Sequence, residues 1–169
     1  MNLGGRRIKN EELRSCFEAL GCAEVATFRA SGNVVFGLGG EKPGALTERL
    51  EAGLGEALGY EVPVFLRDAK QLRGIAAAEP FDEKALAASR GKLQVALLRE
   101  TPAAAARKEV EALSSDADRL AICGRELYWL PEGGLSESDL DLKAIAKLLG
   151  PTTIRTKGTI DQIAARHFA

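Results

Sequence analysis

Glycine turns and four-residue apolar spacings recur at nearly constant offset in the two halves of this chain, and that repetition is its strongest structural constraint. The turn Ser31-Gly32-Asn33 lies between the apolar stretch Glu24 to Arg29 and Val34-Val35-Phe36. The turn at Gly124-Arg125 lies in the same way between Asp118 to Ile122 and Glu126 to Leu130. Each set reads as a β-hairpin. A helix follows each hairpin: Leu46, Leu50, Leu54 and Leu58 recur every four residues up to Gly59, and Leu140, Ala144, Ile145 and Leu148 stripe a helix ending at Gly150. Both patterns bury one face and stop at a glycine, which tolerates the left-handed backbone of a helix end.

The remaining elements complete the order. Asn10 ahead of Glu11 and Glu12, with Leu13, Cys16, Phe17 and Leu20 at helical spacing, predicts a helix capped by Asn10. Tyr60 to Leu66 alternates as a strand would, with Val62 and Val64 on one side. Asp68 caps a connecting helix through Leu72, Ile75 and Ala76, and Lys84 to Gly91 carries a further helical turn. Lys92 to Leu98 reads as a strand, and Thr101-Pro102 opens a helix that faces Ala106, Val110 and Leu113 inward. Pro151 to Arg155 is a short strand, and Ile160, Ile163 and Ala164 mark a last helix.

The second half is therefore β-α-β-β-α-β, the split βαβ of ferredoxin-like folds, and the first is α-β-β-α-β, the same unit without its first strand. The expected fold is α+β: two ferredoxin-like halves, the first truncated, plus a C-terminal helix. The expected division is 1–67 for the first half, 68–91 for a connecting helical segment and 92–169 for the second half with its closing helix. The strand missing from the first half would leave edges unpaired, and unpaired edges invite another chain, hence a homo-oligomer.

Composition narrows the chemistry. The 169 residues carry a net charge of -1, which argues against a dedicated nucleic-acid binder, and no apolar run reaches membrane-spanning length. The opening residues have no apolar signal core, and Cys16, Cys22 and Cys123 form no Cys-x-x-Cys pair, so a reducing cytoplasm is the expected location. Cys16 sits on a helical stripe as a small hydrophobe. A nucleophile system built on histidine would have to use His167, the one histidine, third from the C-terminus. No metal site and no cofactor are expected.

Asn2-Leu3-Gly4-Gly5, Ile8-Lys9, Leu13, Leu20-Gly21 and Ser31-Gly32-Asn33-Val34-Val35-Phe36 together resemble the DUF1697 family, widespread in bacteria and named for its lack of assigned function. The resemblance runs on through Phe81, Gly124-Arg125-Glu126-Leu127-Tyr128, Leu148-Leu149-Gly150 and Thr152-Thr153-Ile154-Arg155. Family members usually begin with a strand ending Leu-Arg-Gly-Ile/Val-Asn-Val/Leu-Gly-Gly. Met1 stands where they carry a branched aliphatic residue, so the resemblance implies a start placed too late or a shortened chain. Many relatives also carry a Ser-Lys pair and an Asn-Trp-Asn or Asn-Trp-Arg where this chain has Ser136-Glu137-Ser138-Asp139 and Thr156-Lys157-Gly158-Thr159, so no role of those residues transfers.

One candidate site stands out. Gly4-Gly5-Arg6-Arg7-Ile8-Lys9-Asn10 sets two glycines and three cations directly before a helix, where backbone amides and the helix dipole favour an anion. The expected ligand residues are Asn2, Gly4, Gly5, Arg6 and Lys9, with Ser31 and Asn33 as donors from the hairpin turn. Gly37 to Gly44 fails as a nucleotide loop, because Lys42, Ala45 and Leu46 stand where glycine, lysine and Ser/Thr are required. Glu137, Asp139 and Asp141 precede a helix and read as its caps. Tyr128 and Trp129 alternate on a strand, so one is expected in the core and the other exposed or at an interface. Three function classes stay open: a non-catalytic small-anion-binding module, a protein-interaction or self-associating module using a sheet edge, and an enzyme without histidine or metal chemistry.

Overall fold

The computed structural model describes residues 2, 3, 6–37 and 39–169, and for residues 2, 3, 6 and 7 the backbone alone. The class is α+β, and the chain divides into two units, Met1–Leu66 and Arg67–Ala169. No helix among the described residues is long and apolar enough to cross a membrane.

In the first unit, β1 (Asn2–Leu3) pairs antiparallel with β2 (Arg6–Arg7), Asn2 opposite Arg7. Then come α1 (Asn10–Ala19), β3 (Ala23–Phe28), β4 (Asn33–Gly37) and α2 (Pro43–Leu58). The leucine spacing of α2 does what its period dictates: Leu46, Leu50 and Leu54 are fully buried against Leu13 and Phe17 of α1 and Val25 of β3. Each such side chain stabilises the unit by roughly 2 kcal/mol through burial. Helices α1 and α2 meet where α2 carries Gly53, whose missing Cβ leaves room for the Leu20 side chain.

The expected strand at Tyr60 to Leu66 is not a strand. Its alternation holds, with Val62 buried and Val64 and Leu66 packed on the core, yet residues 61–66 join no ladder. The second unit supplies the physical reason.

That unit runs α3 (Ala69–Ala77), α4 (Glu83–Ala88), β5 (Gln94–Leu98), α5 (Ala104–Glu111), β6 (Asp118–Cys123), β7 (Glu126–Pro131), a 3₁₀ turn (Leu135–Glu137), α6 (Leu142–Leu149), β8 (Thr152–Thr156) and α7 (Lys157–His167). Its sheet order is β6-β7-β5-β8, every neighbour antiparallel, which is the interleaving a split βαβ unit requires. The last strand, β8, pairs with the first, β5, and with no other strand among the described residues. Among the described residues the first unit has no counterpart of β5, so its last extended segment has no neighbour to build a ladder with.

Helices cover both faces of the β6-β7-β5-β8 sheet. Val110 of α5 and Ile145 of α6 pack with Ala96, Leu127 and Trp129 on one face. Ile75 of α3 and Ile160 of α7 pack with Val95 and Tyr128 on the other. Tyr128 and Trp129 are therefore both in the core of this unit, and the expectation of one ring exposed or at an interface fails because helices cover both faces of β7. Residues 68–91 belong with this unit, α3 lying in the same core as α7. The unit begins on a buried ion pair: Arg67 Nε donates to Glu126 at 2.7 Å, and its terminal nitrogen donates to the carbonyls of Leu98 and Arg125.

Side-chain caps match the sequence at Asp68 and Asp141, and Asp82 adds a cap to α4. They differ at two helices. Lys9, not Asn10, is the cap residue of α1, and α5 starts at Ala104 behind Ala103, past Thr101-Pro102; neither helix has a side-chain cap bond.

Candidate functional site

The first candidate is where α1 begins. Of the seven expected ligand residues, Gly4 and Gly5 lie outside the described residues, and Asn2 and Arg6 are placed by backbone alone, in β1 and β2. Lys9 is exposed at the cap position of α1. Asn10 does not cap: its side-chain amide donates to the carbonyl of Arg29 at 3.2 Å, so the start of α1 is joined to the β3-β4 turn. Arg29 takes up a left-handed backbone (φ 56), as does Gly32 (φ 72). The turn is braced from within, since Ser31 Oγ donates to Phe28 O at 3.3 Å and Asn33 donates to Ser31 Oγ at 2.7 Å. Those two residues were expected as donors to a ligand; the hydrogens in these bonds go to the turn itself. Asn10 Oδ1 is buried without a hydrogen-bond partner among the described residues. Glu11 and Glu12 stand exposed in the first turn of α1, at its positive end.

The second candidate escaped sequence reasoning. A cleft of about 450 Å³ opens in the second unit between the start of β6, the end of β7 and the loop leading to α6. Asp118, the first residue of β6, is 5% exposed and lines it. Asp118 Oδ1 accepts from Trp129 Nε1 at 2.7 Å and from Ser138 Oγ at 2.8 Å. One signal in the sequence pointed here: a buried indole N–H needs an acceptor, and Asp118 opens the strand that pairs with the tryptophan's own. Of the three acids expected to cap α6 only Asp141 does so, while Glu137 bonds within the 3₁₀ turn and Asp139 makes no cap bond among the described residues. Asp141 accepts from the amides of Lys143 and Ala144, and Glu137 from that of Gly134.

Elsewhere the polar chemistry is structural. Glu41, in the glycine-rich stretch that failed as a nucleotide loop, pairs with Arg49 of α2 at 2.7 Å, and that hydrogen bond holds its carboxyl below the ordinary range. Burial pushes the thiols of Cys16 and Cys22 up, while Cys123 is exposed in the β6-β7 turn. Among the described residues no three His, Cys, Asp or Glu side chains gather as a metal site.

Comparison with known proteins bears on family and on fold. A family model described as "Protein of unknown function (DUF1697)" matches residues 1–128. The chain is also similar to the structure of a conserved bacterial protein from Streptococcus pneumoniae, with a TM-score of 0.68 and 18% identity over 98% of this chain and 92% of that one. At that identity the likeness speaks to fold alone. No functionally curated protein matches.

Proposed function

The chain belongs to the DUF1697 family, whose function is unassigned, and from that premise we propose that it is a non-catalytic module holding a small anion where α1 begins. The observation that supports this reading is the Asn10 to Arg29 hydrogen bond, which joins the start of α1 to the β3-β4 turn across a gap of 19 residues in sequence. The ligand groups in this reading are the cations of Arg6 and Lys9 and the backbone amides around Asn2, Gly4 and Gly5. Such groups bind negative charge. Ser31 and Asn33 serve by bracing the turn that presents the Arg29 carbonyl to Asn10. Glu11 and Glu12 oppose an anion on the helix axis, so the charge rests on the cations before the helix. The reading is of a cytoplasmic protein, in keeping with three free thiols.

Inorganic phosphate tests it. At matched ionic strength with chloride, phosphate at 100 times its dissociation constant adds about 2.7 kcal/mol of stability and raises the melting temperature by several degrees. The Arg6→Ala/Lys9→Ala double variant loses that rise. A melting temperature indifferent to phosphate, or a rise the double variant keeps, overturns the reading.

A second reading, self-association through a sheet edge, has its own support. The edges of the β6-β7-β5-β8 sheet differ. On β6 the outward amides of Asp118, Leu120 and Ile122 are taken by Ser115 Oγ, Ser114 Oγ and Glu111 Oε1. On β8 the ladder to β5 continues as Lys157 N–H to Leu93 O, so Thr153 and Arg155 bond inward and Thr152 and Ile154 turn outward. No side chain accepts from the amides of those two residues among the described residues. An unblunted edge pairs with another strand. Ile154→Pro deletes an outward N–H, which an edge strand tolerates. A dimer mass in light scattering that reverts to monomer in this variant supports the reading. A monomer at every concentration rules it out.

A further inference from the structure

We propose that the cleft beside Asp118 binds an aliphatic amine carrying two or more ammonium groups, through the free oxygen of a carboxylate that is otherwise built into the core. Asp118 is 5% exposed, and Trp129 Nε1 and Ser138 Oγ both donate to its Oδ1. Among the described residues its Oδ2 has no hydrogen-bond partner, and it is not sealed from solvent. It is thus an acceptor with a fixed direction, reached by solvent in a residue that lines the cleft.

The rest of the lining sets the class of ligand. Glu132, Glu137, Asp139 and Asp141 surround the opening, against one cation, Arg90, so the field inside is negative. These carboxylates do not gather into a metal-holding group, which leaves separate charges spread over a cleft of about 450 Å³. That volume suits a small organic molecule. Leu113, Pro131 and Leu140 supply apolar wall for methylene stems. A guanidinium needs two parallel carboxylate oxygens for its fork, and Oδ1 of Asp118 already accepts two bonds. An ammonium group needs one oxygen per hydrogen. It donates to Oδ2, and further ammonium groups along the stem meet the rim carboxylates.

The ammonium comes either from a free polyamine or from lysine side chains of a peptide, and the two are told apart by titration. The indole bonded to Asp118 belongs to the chain's one tryptophan, so emission excited at the red edge, where the two tyrosines do not absorb, reads this site. In low salt, spermidine is expected to shift Trp129 emission saturably, while magnesium and arginine at equal ionic strength do not. A dilysine peptide with blocked ends forms the second arm: saturation by spermidine alone identifies a free amine, and saturation by the peptide alone identifies a protein partner. Asp118→Asn keeps an oxygen for Trp129 and Ser138 but turns an amide donor toward the ammonium, so affinity falls at least tenfold. The exposed rim pair Glu137→Gln/Asp139→Asn weakens binding severalfold, and it decides the matter should Asp118→Asn fail to fold. No saturable response to either amine, equal affinity in folded Asp118→Asn, or an identical response to magnesium overturns the proposal.

Discussion

Removing Arg67 strands a carboxylate, and the cost of that should exceed the cost of removing the whole pair. The Arg67 side chain is 4% exposed and that of Glu126 14%, with Nε to Oε1 at 2.7 Å. Burial pulls the Arg67 guanidinium below its ordinary range while the Glu126 carboxylate pushes it back up. Arg67→Met removes the ion pair and two bonds to carbonyls. Arg125 O keeps its bond from the Leu98 amide at 2.9 Å, but the contact to Leu98 O is lost. Breaking a buried pair from one side costs about 3–5 kcal/mol. Water reaches part of Glu126, so the low end applies, about 3 kcal/mol. For a unit of this size that is a drop in melting temperature of roughly 10 °C or more. Deleting both charges in Arg67→Met/Glu126→Leu leaves no stranded ion, and buried pairs replaced by apolar groups are often near neutral. The double variant should therefore be more stable than Arg67→Met alone. Trp129 fluorescence during thermal or urea unfolding follows the second unit specifically, since that tryptophan lies in its core. Additive losses, with the double variant as weak as the sum of its singles, would show that the pair is not what holds Arg67.

Glycine positions divide by what a Cβ would meet. At Gly91 it runs into the carbonyl oxygens of Pro131 and Gly133, so Gly91→Ala should cost about 1–3 kcal/mol by urea titration of Trp129 emission. At Gly74, inside α3, it meets nothing, and Gly74→Ala should add roughly 0.5–1 kcal/mol in the same assay. The Tyr128 phenol is pushed up by burial and by the nearby Glu126. The fold thus favours its neutral form, so this contribution is complete below about pH 10 and falls as pH rises above it. In a Tyr60→Phe background tyrosinate absorbance should appear only together with the loss of near-UV circular dichroism; ionisation well before unfolding contradicts it. Burial raises the Cys16 and Cys22 thiols, so alkylation at pH 8 should modify Cys123 first, and all three cysteines only in denaturant.

What the sequence disclosed and what it withheld separate by the range of the interactions involved. Helix α2, the hairpins at Gly32 and Gly124 and the caps at Asp68 and Asp141 are local, each written in residues three or four apart, and each stands where its pattern puts it. Tyr60 to Leu66 has the right alternation without a ladder, because a strand is a relation to a neighbour and no period within the segment encodes one. Tyr128 and Trp129 could not be sorted into core and surface, because alternation assigns faces without saying how many are covered. Helices α5 and α6 on one side and α3 and α7 on the other bury both rings. The bond from Asn10 to Arg29 and the bonds from Trp129 and Ser138 to Asp118 span 19, 11 and 20 residues. The two candidate sites fall on this nonlocal side for the same reason. The glycines and cations before α1 are legible as residue types, but the bond that turns Asn10 from its expected cap to Arg29, joining the start of α1 to the turn, is not. Asp118 is one acid among 24 acidic residues in the sequence until Trp129 and Ser138 fix one of its oxygens and leave the other facing outward. A carboxylate held that way is selective because its direction is set by the core, so Trp129→Phe, which touches no ligand, should weaken amine binding in titration calorimetry while leaving every acidic group in place.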